Sequence, residues 1–183
     1  MELSVKDFLP FVPFLGSLLG GFLGAWFVAR KDKRDAWRNI LKEDIKEVGV
    51  TIYGAVATAK ILYERRKTGE SFKQWIEKAS KNNKRLESVR KKVRYSLYGM
   101  DDAFRTLIRL KEYVNHTFHD VQTCEYILSN ADRLREIMDD IILSSFRDGR
   151  IPSEKKLLML RRCISDIDNK YRGFMENKNL SEK

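Results

Sequence analysis

Few side chains in this 183-residue chain are spaced to do chemistry. His116 and His119 are its only histidines, with Asp120 and Cys124 close behind them. On a helix, three-residue spacing puts both imidazoles on one face, where two ring nitrogens could share a metal. No Cys pair, second His pair or His-Glu-x-x-His pattern accompanies them. The pair therefore reads as two partly exposed imidazoles at a helix end, and no metal is expected. Cys124 and Cys163 fall among Leu, Ile and Met, where burial keeps a thiol inert, and their placement agrees with a reducing compartment. The chain has neither a Gly-rich phosphate loop ending in Lys-Ser/Thr nor a Gly-x-Ser-x-Gly turn. Asp101-Asp102 and Asp139-Asp140 are direct neighbours and so point to different helix faces. The expectation is a protein that is not an enzyme and carries no cofactor.

Charge is the one concentrated feature. The chain carries a formal +10, and residues 60–94 alone hold 13 basic against 4 acidic side chains. Such a block faces an anion of some kind: lipid headgroup, nucleotide or nucleic acid. Within it Lys81, Asn83, Lys84 and Arg85 form the candidate anion site. Asn83 occupies a core-type slot of a heptad pattern, where an amide is tolerated best beside a polar partner. The lysines around it could then give charge-assisted hydrogen bonds to a phosphate. A second basic group, Arg30, Lys31, Lys33, Arg34, Lys91, Lys92 and Arg94, is expected to face anionic lipid. A plainly solvated charged face is the alternative for both.

The elements that must position these groups are helical. Residues 8–29 contain no charge and end at a basic cluster, Arg30-Lys31-Asp32-Lys33-Arg34. At about 1.5 Å per residue this stretch would cover a hydrocarbon core of about 30 Å. A transmembrane helix over 8–29 is expected, N-terminus out, with Trp26 at headgroup level. Gly16, Gly20 and Gly24 at four-residue spacing predict a ridge for self-association. Beyond it, Leu41, Ile45, Val48, Ile52, Ala55, Ala59 and Leu62 keep heptad spacing, widened by Ile40, Val56 and Tyr63, and the span and this helix could form one rod. Gly69 and Gly99 read as helix stops, and Asp101-Asp102 as the next N-cap. Neither Gly nor Pro marks a break between His116 and Asp120. Asp148 to Ser153 is the strongest turn, followed by a last amphipathic helix carrying Leu157, Leu160, Ile164, Ile167, Tyr171 and Phe174.

The fold expected is all-α: one N-terminal transmembrane helix plus a cytoplasmic antiparallel bundle of four or five helices. The domains are 8–29 as the span, 30–177 as the helical domain, and 178–183 as a disordered tail. The functional expectation is a single-pass, homo-oligomeric protein of the inner membrane, whose cytoplasmic bundle senses a nucleotide or other anionic ligand. In general architecture that looks like the small membrane-anchored effectors of bacterial phage defence, including cyclic-oligonucleotide receptors. The likeness implies a cyclic oligonucleotide as ligand and carries no site residue. The alternative is a membrane-anchored scaffold docking a partner protein, its basic surface on anionic lipid.

Overall fold

The computed structural model describes residues 23–32, 35, 45–93, 97, 99–148 and 152–181. The chain is helical over 23–32 (α1), and five longer helices follow: α2 (Ile45–Lys67), α3 (Lys73–Val93), α4 (Asp101–Thr117), α5 (Val121–Asp148) and α6 (Glu154–Ser181). Among the described elements α4 touches all of α2, α3, α5 and α6, while those four make an arc around it in the order α3, α2, α5, α6. The central helix is correspondingly the most two-faced. Ala103, Phe104, Leu107, Leu110, Tyr113 and Val114 are buried on one side, whereas Asp102, Arg105, Arg109 and Glu112 are exposed on the other. The core gathers Ile52, Leu86, Met100, Phe104, Leu107, Ile127, Leu134, Met138, Ile141 and Leu160, all essentially inaccessible.

The transmembrane expectation is corrected. Among the described residues no helix is long and apolar enough to cross a membrane. Of the stretch 8–29, residues 8–22 lie outside the described residues, together with Gly16 and Gly20. The described part, α1, would be about 15 Å long, and it ends in the charged Arg30, Lys31 and Asp32. Single-pass topology, the inner-membrane location and bilayer contact rested on that span and are given up with it. The supposed rod joining the span to α2 falls at residues 33–44, of which the structure describes only Asp35.

Local signals govern the helix ends. Gly69 and Gly99 adopt φ of +71° and +87°, the left-handed conformation that glycine takes without Cβ strain. A Cβ on Gly99 would also stand 3.0 Å from a methyl of Leu157, which would have to give way. The expected N-cap of α4 is different in fact. Met100 occupies that place without a side-chain hydrogen bond, and Asp101 is turned to Arg90 and Arg105. The break before α5 is made by Asp120, whose carboxylate accepts from Thr123 N at 3.1 Å. Helix α6 continues to Ser181, through residues read from sequence as a polar tail.

Candidate functional site

Helix α3 carries most of the basic block, and its packing sorts polar residues by direction. Consecutive residues on a helix point about 100° apart, so Asn82 and Asn83 meet different neighbours. The Asn82 amide donates to Gly54 O at 3.0 Å and to Thr58 Oγ1 at 2.8 Å, both on α2. The Asn83 amide donates to Ile108 O on α4 at 2.8 Å. Together they pin α3 into the groove between α2 and α4. The polar partner that Asn83 needed is thus a backbone carbonyl of its own chain.

Arg90, seven residues after Asn83 and so in the equivalent heptad slot, is also satisfied internally. Its guanidinium donates to both oxygens of Glu87 and, at 2.7 Å, to Asp101 Oδ1. The Arg90 hydrogen bonds hold the Glu87 carboxyl below its ordinary value. For Asp101 burial pushes upward, but the bonds from Arg90 and Arg105 outweigh it and the carboxyl is held low.

The other face is different. Lys81, Lys84, Arg85 and Lys91 are exposed, and no ion pair joins any of them to an acid among the described residues. They follow the solvent side of α3 for about 15 Å. Neighbouring cations are engaged: Lys92 pairs with Glu47 at 2.9 Å, and Lys78 Nζ lies 4.0 Å from the centre of the Trp75 ring. The expected site is therefore split, with Asn83 turned inward and Lys81, Lys84 and Arg85 outward. Of the residues expected to face lipid, Lys33, Arg34 and Arg94 lie outside the described residues. Arg30 sits 5.1 Å from the Trp26 ring centre, and Lys31 is exposed. Gly24 meets no atom within 4 Å of where a Cβ would stand.

The residues tested for chemistry have other partners. His116 Nδ1 lies 2.5 Å from Tyr171 Oη, and His119 packs edge-on to Phe118 at 5.2 Å. Among the described residues no group of His, Cys, Asp and Glu could hold a metal. Both thiols are buried and pushed up by that burial, and Cys163 donates to Asn130 O at 3.3 Å. Beside them runs a polar seam that periodicity gives no hint of. Tyr113 Oη donates to Asp168 at 2.8 Å and its ring stacks on Tyr171 at 4.2 Å, tying α4 to α6. Burial and the Asp168 carboxylate push the Tyr113 phenol up to about 12. Shallow grooves also mark the described surface. One, of about 510 Å³, lies between the start of α5 and Lys170, Gly173 and Phe174. Another, of about 650 Å³, lies beside Leu143 and Phe146.

Neither a family model, nor a curated protein, nor a solved structure matches the chain. The likeness to phage-defence effectors thus has no match to carry it, and with Asn83 committed to Ile108 the nucleotide role attached to that likeness is given up as well.

Proposed function

We propose that the chain is a non-catalytic docking module whose α3 outer face receives an acidic surface of a partner protein. One observation carries this reading: Lys81, Lys84, Arg85 and Lys91 are exposed and in no ion pair among the described residues, on a helix whose Asn82, Asn83 and Arg90 are bonded inside. Cations clustered on one edge steer an oppositely charged partner and set its orientation. A protein fits better than a nucleic acid. Base edges are read by side-chain amides and bases stack on exposed rings; here both Asn amides are bonded to neighbouring helices, and Trp75 is half-buried with Lys78 over it.

Magnitude limits what charge alone can do. An exposed ion pair contributes roughly 0.2–1 kcal/mol, whereas micromolar affinity needs about 8 kcal/mol. The basic face therefore supplies approach and orientation, and apolar contact must supply most of the affinity. The test is fluorescence anisotropy of the full chain with a labelled poly-glutamate peptide and, separately, with a DNA duplex. Peptide binding that weakens with salt and disappears in the Lys81→Glu/Lys84→Glu/Arg85→Glu variant is the expected result. A duplex that binds while the peptide does not would overturn the protein reading.

A further inference from the structure

Helix α2 presents an apolar strip to solvent beside the basic edge of α3. At 100° per residue its sides divide cleanly. Gly54 and Thr58 face α3, where Asn82 meets them. Lys60, Tyr63 and Lys67 face α5, pairing with Asp132 and Glu125. Ile52, Val56 and Ala59 are buried in the core. The sector left between α3 and α5 holds Val50, Tyr53, Ala57 and Ile61, with exposed Lys46 and Glu64 at its two ends. Val50 is 61% and Tyr53 63% exposed, and Ala57 and Ile61 are half-buried. The strip runs about 16 Å, three turns of helix.

Its two banks differ in charge. The contacts of Asn82 with Gly54 and Thr58, and of Lys92 with Glu47, set an antiparallel register. In that register Arg85 comes level with Tyr53 and Lys81 with Ala57, and neither cation has an acidic partner among the described residues. On the α5 bank, Lys60 takes Asp132, and Arg135 bridges Asp132, Glu136 and Asp139. One bank is thus cationic, while the other pairs two cations with three carboxylates.

We infer that this strip seats one amphipathic helix of a partner protein, apolar residues down on Val50, Tyr53, Ala57 and Ile61 and acidic residues toward Lys81 and Arg85. The inference rests on the docking reading of α3 and names the apolar contact that reading requires. A helix laid on such a face is read through anchors at i, i+3, i+4 and i+7, which fits a three-turn strip. Tyr53 is the main anchor, a broad ring 63% exposed.

The test uses the full chain and two synthetic peptides of identical composition. One carries leucines at helical spacing with glutamates along one side; the other is scrambled. The patterned peptide should bind at least about tenfold tighter and gain helical circular dichroism on binding. Tyr53→Asp, and Val50→Lys as a second surface variant, should erase that preference while leaving weak salt-sensitive binding of both peptides. Equal binding of the two peptides by the unaltered chain, or an intact preference in both variants, overturns the strip and leaves the basic face standing. Conversely, unchanged binding by Lys81→Glu/Arg85→Glu overturns the docking reading of α3 and the acidic orientation inferred here, even where Tyr53→Asp still erases the preference. Sedimentation of the chain alone closes the remaining route. A dimer that Tyr53→Asp dissolves would mean a second copy covers the strip, and would overturn the partner helix.

Discussion

The inner and outer faces of α3 use similar side chains to opposite ends. Inside, Asn82, Asn83 and Arg90 each find named acceptors on neighbouring helices or on their own turn. Outside, Lys81, Lys84, Arg85 and Lys91 find none among the described residues. The difference teaches that polarity in a heptad slot is no sign of a ligand. A half-buried amide or guanidinium is costly unless bonded, so the fold supplies partners and the residue becomes part of the scaffold. An exposed lysine is already solvated, and the fold has no reason to occupy it.

The contrast can be broken most decisively at Leu86, which is fully buried on the inner face. Leu86→Ala should cost about 2–5 kcal/mol in urea unfolding; a cost near zero would mean that α3 is not packed as described.

Arg90→Ala comes next. At 18% side-chain exposure and with two carboxylate partners, it should cost about 2 kcal/mol near neutral pH. The folded-state values of Glu87 and Asp101 are depressed below 4.5 and 3.8. Their contribution is present above those values and is lost as pH falls through the folded ones. The gap between wild type and Arg90→Ala should therefore close in acid, and a gap that persists there would assign Arg90 a packing role instead.

Asn83→Ala should cost about 1 kcal/mol, and Asn82→Ala slightly less. Thr58 Oγ1 keeps its own bond to Gly54 O when Asn82 is removed. Thermal melts of the two variants sharpen the clamp into its α2 and α4 halves.

The smallest effect belongs to the outer face. Lys84→Ala and Lys91→Ala should lie within about 0.5 kcal/mol of wild type. A larger loss would show that these lysines support the fold, and would remove the grounds for reading them as a docking surface.

Much of the helical scaffold is legible residue by residue. Val48, Ile52, Ala55, Ala59 and Leu62 are spaced as one stripe and are buried as one. Gly69 closes α2 as expected, whereas α3 is described only to Val93 and Gly99 stands in the turn before α4. The candidate site was legible only in part. Lys81, Lys84 and Arg85 stand out by charge density, but Val50 and Tyr53 merge into the broad apolar content of α2. They differ from its core residues only in which neighbour lies opposite. The N-cap of α5 could have been read from Asp120 and Thr123, three residues apart, without any Gly or Pro.

What the sequence determined by itself is the helical framework: which segments are helices, roughly where they stop, and which stripe of each is apolar. These properties arise from neighbours within about one turn, through backbone geometry, glycine stops and periodic burial. Tertiary structure alone decided that Asn82 serves α2 and Asn83 serves α4, that Lys60 is neutralised by Asp132 far along the chain, and that Lys84 is neutralised by nothing described. The same holds for Tyr113 and Asp168, joined across two helices. A hydrogen bond or ion pair between distant segments depends on the rotation and register of whole helices, and neither is encoded in the local period that identifies them.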